Sequence, residues 1–352
     1  MALEIGIVLG EDIGLEVVPE AVKVMKAAAA KVGLEVSWHE VPIGREAHKL
    51  HGHTMPEQSV KALEPLDGWV LGPIGHGSYP RNDPTWIFPP LRKRFDLFAS
   101  IKPVKSYPNV KSIHKDVDIV FLREVTEGMQ SSDTVVAGSA EFRPNDEITI
   151  ASRVITRTGS ARVAREAFEI ARTRTRKLVT SVHKEPVFRL ACGMFAEECR
   201  KVAKAYPDVE LEEALVDGFA MKLVMDPHRF DVVVTTNQFG DILTDEGAGL
   251  VGGLGLAPGL CVGHEKAMAQ ATHGSAPDIA GRNIANPYAM IMSGRMLFEW
   301  LGRKRNEPKA LEAARRIERA VEQVIADGKD LTPDLGGKGG TREMGDAIVA
   351  AL

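Results

Sequence analysis

This 352-residue chain has few cysteines, little excess of charge of one sign and no long apolar run. Its three cysteines (Cys192, Cys199 and Cys261) show no CxxC spacing, which excludes a zinc or disulfide framework and indicates a reducing compartment. A net charge of −4 gives no general attraction to nucleic acid or to anionic membranes. The longest uncharged stretch, residues 247–263, contains seven glycines and is too short to span a membrane. The sequence therefore predicts a cytoplasmic protein that binds neither nucleic acid nor a membrane.

Strand-like and helix-like segments alternate along the chain. The first apolar segment, "EIGIVLG", precedes an amphipathic run over residues 14–32, and "VDIVFLREV", "RKLVTSVHK" and "DVVVTTN" follow later. This alternation predicts an α/β fold with a substantially parallel sheet. Ligands gather at the carboxyl ends of such strands, which here carry Arg123, Lys184 and Asn237, with Asp241 shortly after.

Two segments differ from this pattern. Residues 134–157 have period-2 β character and an "RPND" turn, which predicts a projecting hairpin. A helix over residues 160–177 carries many arginines, and in an acidic chain we interpret them as a solvated face rather than an RNA-binding patch.

Acidic residues in two segments suggest a cation site. Asp241 and Asp245 lie four apart in "NQFGDILTDE", directly after a β-branched run, and Asp217 lies in "LVDGFAMKLV". Three carboxylates with few basic neighbours suit Mg²⁺ or Mn²⁺ with open positions for water and a substrate oxygen. The alternative is one helix-capping aspartate and two solvated ones.

Basic residues near strand ends are candidates for acid–base and carboxylate-binding roles. Lys184 directly follows "LVTSVH" and could be a general base or a charge-stabilising group if burial lowers its pKa; a surface lysine is the alternative. Arg92, Lys102 and Arg123 lie near strand ends, where they could bind carboxylates. The glycine- and proline-containing loop over residues 271–287 could approach a diphosphate through its N–H groups, with Asp278 accepting from ribose hydroxyls.

Seven ordered motifs together resemble the β-decarboxylating dehydrogenases, which act on isopropylmalate, isocitrate, homoisocitrate and tartrate or D-malate. The matching segments, which cover essentially the full length, are "LRKRFDLFASIKP", "LREVTEG", "SVHK", "VDGFAMKLV", "FDVVVTTNQFGDILTDEGAGLVGGLGLAPG", "HGSAPDIAGRNIANP" and "TPDLGGKGGTREM".

The resemblance implies a two-domain α/β fold that is not a Rossmann fold. Residues 1–99 and 254–352 would form a larger, NAD-binding domain, and residues 100–253 a smaller one with a dimer clasp at about 134–158. A homodimer with shared active sites is implied, in which Lys184 and Asp217 enter from the partner subunit. By the same resemblance Asp217, Asp241 and Asp245 bind Mg²⁺ or Mn²⁺. Asp278 favours NAD over NADP by charge, and the cofactor-binding residues are Ile13, His273, Gly274, Ser275, Ala276, Asp278 and Asn286.

The chain departs from the family pattern at several positions. Gln130 stands where the family carries the tyrosine that protonates the enol, and an amide is not a general acid near neutral pH. Three interpretations stay open: another proton donor, oxidation without efficient decarboxylation, or a weakened paralogue. Lys102 replaces the usual arginine, and "GEDIG" replaces "GDGIG", so that Glu11 and Asp12 add charge and remove a glycine.

The resulting prediction is an NAD- and divalent-metal-dependent dehydrogenase that oxidises, with β-decarboxylation, a 3-substituted malate of the isopropylmalate type. Lys184 and Asp217 are the expected catalytic residues, with Gln130 in the tyrosine position, and Arg92, Lys102 and Arg123 bind the substrate. The alternatives are a tartrate or D-malate dehydrogenase and a non-catalytic or regulatory paralogue.

Overall fold

The computed structural model describes residues 2–75, 79, 87–129, 131 and 140–352. Its strands are β1 (Leu3–Val8), β2 (Val36–Glu40), β3 (Gly68–Leu71), β4 (Ala99–Lys105), β5 (Asp118–Glu124), β6 (Glu141–Asn145), β7 (Ile148–Ala151), β8 (Leu178–His183), β9 (Glu210–Leu215), β10 (Val232–Thr235), β11 (Leu260–Val262) and β12 (Ala267–Ala269). Its helices are α1 (Gly14–Val32), α2 (Arg45–His51), α3 (Glu57–Leu63), α4 (Phe88–Arg94), α5 (Arg157–Thr173), α6 (Ala191–Ala203), α7 (Val216–Met225), α8 (Asn237–Val251), α9 (Tyr288–Lys304), α10 (Pro308–Asp327) and α11 (Thr341–Ala351).

The chain divides into two compact units. Unit 1 comprises residues 1–87, 106–115 and 251–352, and unit 2 comprises residues 88–105 and 116–250. The first unit thus contains both ends of the chain. The expected NAD-binding role of the larger domain stays a prediction, since this division of the chain rests on packing alone.

Unit 1 contains strands in the order β2-β1-β3-β12-β11, parallel except for the β11–β12 pair. The amphipathic run over residues 14–32 forms α1 as predicted, and its apolar positions are buried. The helix ends at Gly33, which caps it with a positive φ of 63° that glycine adopts without steric cost. Helices α9, α10 and α11 pack against α1.

Unit 2 contains strands in the order β4-β5-β10-β8-β9, and only the β4–β5 pair is antiparallel. The central strands β8 and β10 are almost wholly buried, which their Val-rich sequences favour. The parallel strands β5, β10 and β8 end at Glu124, Thr235 and His183, so the residues that follow them emerge at one edge. The predicted α/β class and mostly parallel sheet are confirmed.

The predicted hairpin is present as the antiparallel pair β6–β7, which turns at residues 146 and 147. Every residue of the two strands is exposed, including the large apolar side chains of Phe142, Ile148 and Ile150. Residues 134–139 of the expected clasp lie outside the described residues.

The expected bounds of the arginine-rich helix are wrong by three or four residues. Helix α5 begins at Arg157 rather than residue 160, because the Thr156 hydroxyl accepts a hydrogen bond from the Gly159 N–H and caps the helix earlier. It ends at Thr173 rather than residue 177, since Arg174 takes an extended backbone and pairs with Asp231. In the described part of the chain, no helix has the length and apolar character to cross a membrane.

Candidate active site

The predicted metal ligands Asp241 and Asp245 lie one turn apart on α8, in unit 2. The helix starts two residues after the buried strand β10, so its first turns lie at the carboxyl edge of the strands. Both carboxylates reach solvent, and the pKa of Asp245 is raised, first by neighbouring protein atoms that displace water and then by the charge of Asp241. A bound cation would offset this destabilisation of the ionised forms, so the donor set fits a divalent metal.

Arg123, near the end of β5, is held rigidly beside Asp241. Its Nε and one terminal nitrogen donate to Asn237 Oδ1 at 3.0 and 2.6 Å, and the other terminal nitrogen donates to Asp241. The Asn237 amide nitrogen donates in turn to the Glu127 carbonyl at 2.6 Å and to the Ser131 hydroxyl. Close contact also requires glycine at position 240, where a Cβ would lie 2.7 Å from the Arg123 side chain. The guanidinium is therefore preorganised, with its position set by α8.

Lys102 lies on β4, buried, and its Nζ donates to the Thr244 hydroxyl at 3.2 Å. Burial, followed by the charge of Arg123, lowers its pKa to about 8. The third predicted carboxylate-binding residue, Arg92, is half-buried on α4, with its guanidinium 5.7 Å from the centre of the Phe88 ring. Unit 2 thus gathers two buried cations, Lys102 and Arg123, around the acidic turn of α8 and places a third on α4.

Lys184 and Asp217 form a second group, at the ends of β8 and β9. Lys184 follows β8 directly, and Asp217 lies in the first turn of α7, where a carboxylate is favoured by the helix dipole. The Lys184 ammonium donates to the Asp217 carboxylate, which lowers the pKa of Asp217. The pair is solvated, with 23% and 68% of the two side chains exposed.

The three predicted metal ligands do not converge within one chain. Asp217 shares no cluster of metal-ligating atoms with Asp241 and Asp245, all of which the structure describes. Among the described residues, the one cluster of three such atoms within 4.8 Å of one another consists of His183, Glu185 and Glu213. Gln130, the residue in the tyrosine position, lies outside the described residues.

The predicted cofactor residues lie in unit 1, where the backbone links two of them directly. Ile13 N–H donates to the Ser275 carbonyl at 3.1 Å, which joins the loop after β1 to the loop after β12. A side chain at Gly274 would meet open space, and Asp278 is exposed in the following turn. Nε2 of His273 is buried and has no hydrogen-bond partner among the described residues. An unsatisfied buried nitrogen beside open backbone fits a polar ligand such as NAD.

Two other predicted cofactor residues have structural constraints of their own. Ala276 has a positive φ of 42°, a strained conformation for a residue with a Cβ. The Asn286 amide is engaged on both sides, since Nδ2 donates to Asp334 at 3.0 Å and Oδ1 accepts from Tyr288 N–H at 2.9 Å. Asn286 therefore organises the start of α9, whatever else it contacts.

The unusual "GEDIG" loop is accommodated by ion pairing and backbone bonds. The buried Glu11 carboxylate accepts from the backbone N–H groups of Arg45 and Gly75 at 2.9 and 2.8 Å. Asp12, at a φ of 50°, pairs with the Arg45 guanidinium at 2.9 Å. The one added charge, that of Asp12, is thus paired with Arg45 within unit 1, and Asp12 adopts a left-handed backbone conformation at the position where the family pattern has glycine.

Sequence reasoning missed Asn237 and Thr244 as site residues. Asn237 was noted at a strand end but given no role, and its buried contacts to Arg123 become visible only after folding. The Thr244 hydroxyl accepts a hydrogen bond from Lys102. Its position next to Asp245 is the only feature of the sequence that could have suggested a role at the site.

Comparisons with known proteins agree over the whole chain. The profile of the isocitrate/isopropylmalate dehydrogenase family matches residues 4–348. A 3-isopropylmalate dehydrogenase of Methanothermobacter thermautotrophicus is 38% identical over 351 residues, which cover 100% of this chain and 99% of that protein. An isocitrate/homoisocitrate dehydrogenase of Thermus thermophilus is 40% identical over 359 residues, with coverage of 100% and 99%. The solved isocitrate dehydrogenase of Methylococcus capsulatus superposes with a TM-score of 0.88 at 39% identity and covers 99% of each chain.

The chain therefore belongs to the isocitrate/isopropylmalate dehydrogenase family. The fold and the reaction class expected from the resemblance are confirmed: it is an oxidoreductase of the decarboxylating hydroxy-acid dehydrogenase class. Its substrate, cofactor and metal are a separate question, because relatives of similar identity carry different substrate names.

Proposed function

We propose that this enzyme catalyses the NAD- and divalent-metal-dependent oxidative decarboxylation of a 3-substituted malate of the isopropylmalate type. The observation that carries the proposal is the contact between Arg123 and Asp241, because it puts a carboxylate-binding guanidinium beside a metal-binding carboxylate. A malate derivative has a carboxylate next to a hydroxyl, so it could pair with the Arg123 guanidinium and with a metal ion on Asp241 at the same time.

Substrate binding would rest on three cations of unit 2. Arg123 and Lys102 are buried and fixed by Asn237 and Thr244, so little conformational entropy is lost when they bind a carboxylate. Arg92, half-buried on α4, would supply the third cation. These residues would hold the substrate in the orientation that the reaction needs. Their positive charges would also offset the negative charges of its carboxylates.

In its neutral amine form, Lys184 would act as the general base that takes the proton from the substrate's C2 hydroxyl, directly or through water, and would thereby become the ammonium. Asp217 accepts a hydrogen bond from its ammonium and so holds the side chain in place. A divalent cation bound by Asp217, Asp241 and Asp245 would supply Lewis-acid polarisation of the substrate oxygen. Gln130 is expected near the carbon that is protonated last, and the source of that proton stays open.

Unit 1 would bind NAD through Ile13, His273, Gly274, Ser275, Ala276, Asp278 and Asn286. NAD would accept the hydride from C2. The His273 Nε2, which has no hydrogen-bond partner in the described part of the chain, supports a polar ligand here. The exposed Asp278 carboxylate favours a ribose with free hydroxyls, since a 2′-phosphate in the same place would suffer charge repulsion.

We also propose a homodimer with shared active sites. Helix α7, which carries Asp217, exposes Met221, Val224 and Met225, and α8, the next α-helix along the chain, exposes Ile242. A second chain would bury this apolar surface and bring its Lys184 and Asp217 to the acidic turn of α8. The three cysteines are buried free thiols, which supports the expected reducing, cytoplasmic compartment.

The activity is tested by NAD⁺ reduction with Mn²⁺ across isopropylmalate, D-malate, tartrate, isocitrate and homoisocitrate, with released CO₂ measured in parallel. We expect NADH and CO₂ in equal amounts, with isopropylmalate the best substrate. A preference for D-malate or tartrate would replace the substrate assignment. NADH without CO₂ would show that Gln130 changes the reaction, and no NADH with any substrate would favour a non-catalytic paralogue.

The shared site is tested by mixing two inactive variants, Lys184→Met and Asp241→Asn, under conditions that exchange subunits. If each site combines Lys184 of one chain with Asp241 of the other, mixed dimers regain one intact site. Random exchange would restore about a quarter of wild-type activity, since half of the dimers are mixed and each has one working site of two. Activity that stays absent after verified exchange would show that each chain builds its own site.

A further inference from the structure

A charged network adjoins Lys184 and Asp217 without belonging to the proposed site. Arg200 on α6 donates to the Glu185 carboxylate from both terminal nitrogens, at 2.5 and 3.3 Å. It also donates to the Glu213 carboxylate from Nε and a terminal nitrogen, at 2.6 and 2.8 Å. Each contact uses two bonds, a geometry that fixes orientation as well as separation.

The two glutamates lie on the segments that present the proposed catalytic pair. Glu185 follows Lys184 directly, and Glu213 lies four residues before Asp217. Strands β8 and β9 are parallel neighbours, so their carboxyl ends lie side by side. A single guanidinium therefore connects the end of β8 to the end of β9, at the place where Lys184 and Asp217 leave them.

The two glutamates that Arg200 contacts also belong, with His183, to the cluster of possible metal ligands described above. Two observations favour the guanidinium over a metal ion. His183 Nδ1 accepts a hydrogen bond from the Glu185 N–H at 3.3 Å, so the neutral ring carries its hydrogen on Nε2, which faces Glu213 at 3.6 Å. A nitrogen that carries hydrogen cannot ligate a metal, and Arg200 already occupies both carboxylates.

We propose that Arg200 is a positioning residue, which holds the ends of β8 and β9 at the separation where the Lys184 ammonium meets the Asp217 carboxylate. This inference rests on the proposed role of Lys184 as the general base. Arg200 itself contacts neither Lys184 nor Asp217 through a hydrogen bond described in the structure; it acts through Glu185 and Glu213.

The network is placed to affect activity more than folding. The side chains of Arg200, Glu185 and Glu213 are 43%, 34% and 32% exposed, and ion pairs at such positions contribute little to stability. A shift of about 1 Å in a catalytic group, by contrast, can lower the rate roughly 100-fold. Loss of the guanidinium should therefore leave a folded protein with a displaced catalytic pair.

The chain offers a matched control for Arg200→Met. Arg172 on α5 is 45% exposed and donates from Nε to both oxygens of Asp208, at 3.1 and 3.2 Å, but neither residue borders Lys184 or Asp217 in sequence. We expect Arg200→Met to lower kcat by about 10- to 100-fold, with the KM for NAD⁺ and the melting temperature near those of wild type. Arg172→Met should keep wild-type kcat. Arg200→Lys should recover part of the loss, because an ammonium cannot form both forks.

A kcat for Arg200→Met equal to that of Arg172→Met would overturn the inference. If Arg200→Met fails to fold, the double variant Glu185→Gln/Glu213→Gln removes the same connection while the arginine stays; full activity in that variant would equally overturn it.

A second measurement does not depend on activity. Lysines are reductively methylated with ¹³C-formaldehyde, and the Lys184 NMR signal is assigned with Lys184→Arg. We expect this signal to shift in Arg200→Met and to stay in place in Arg172→Met; an unmoved signal in Arg200→Met overturns the inference. If the wild type forms no NADH with any of the five substrates, the proposed function fails, and this NMR comparison still decides whether Arg200 positions Lys184.

Discussion

The two groups of predicted site residues in unit 2 differ in how completely one chain builds them. Arg123 and Lys102 are buried, and Asn237 and Thr244 fix them by hydrogen bonds that cross from one element to another. The pair formed by Lys184 and Asp217 is solvated, on segments whose apolar neighbours are exposed. A single chain thus fixes the proposed substrate-binding cations in place. It leaves Lys184, the proposed base, partly in contact with water.

This difference has a physical consequence for catalysis. Fixed charges act strongly when water is excluded, because the effective dielectric constant falls. The buried cations already have such surroundings, whereas Lys184 would acquire them only against a second surface. Variants of the first group should therefore affect binding within one chain, and variants of the exposed apolar side chains near the second should act through dimer formation.

The largest effect is expected for Asp241→Asn, which removes one proposed metal ligand beside the buried cations. Turnover with Mn²⁺ should fall by at least about 100-fold, more than is typical of groups that only orient a ligand. The fold should survive, since the Asp241 side chain is 42% exposed. Glu246→Gln, on the same helix, is the control and should retain wild-type turnover. Activity of Asp241→Asn within threefold of wild type would show that the metal assignment is wrong.

The next effect concerns the exposed group: Met225→Lys should weaken the proposed dimer. Met225 is 71% exposed in the single chain, so a charge costs nothing there, but burying it against a partner would require desolvation. We expect the variant to be monomeric by light scattering at micromolar concentration and to lose most activity on dilution. Ile113→Lys, at 70% exposure in unit 1, should remain dimeric. A dimeric, fully active Met225→Lys would remove α7 from the interface.

A smaller effect is expected for Asn237→Ala, which releases Arg123 without removing a charge. The substrate KM should rise by about tenfold, because the guanidinium loses two of its bonds and part of its preorganisation. Stability should fall by about 1–3 kcal/mol, the usual cost of unsatisfied buried groups. Kinetics and thermal unfolding would measure both, with the exposed Asn109→Ala as control. An unchanged KM would mean that Arg123 keeps its position without the amide.

These two groups also show how far sequence reasoning reaches. The strand ends were predictable, because β-branched runs mark buried strands and the residues after them emerge at one edge, as Lys184 and Asp241 do. The four-residue spacing of Asp241 and Asp245 likewise required only helical periodicity. What joins Arg123 to Asn237 was not predictable, since the two lie 114 positions apart and meet only through the pairing of β5 with β10.

Local competition between hydrogen bonds set a second limit. The pattern of arginines predicted a helix over residues 160–177, but the cap at Thr156 and the ion pair of Arg174 moved both ends. The residues alone could not say whether Asp217 meets Asp241 within one chain, and only the family resemblance implied that Asp217 comes from a partner. The network around Arg200 was not predictable for a different reason: three surface charges in different elements carry no periodic signal.

The smallest expected effect is a pH dependence of the substrate KM that arises from Lys102, one of the two buried cations. Burial lowers the pKa of Lys102 to about 8, so its ammonium is present below that pH and is lost as the pH rises through it. Carboxylate binding by Lys102 should weaken accordingly, and the substrate KM should rise by up to about fivefold between pH 8 and pH 9, because the protonated fraction falls from about one half to about one eleventh. In Lys102→Arg the cation persists, because arginine stays protonated throughout this range, so its KM should stay flat with Mg²⁺ held constant. If the KM values of wild type and Lys102→Arg rise together above pH 8, the titrating group is another residue, and Lys102 serves the buried group through its contact with Thr244 rather than through its charge.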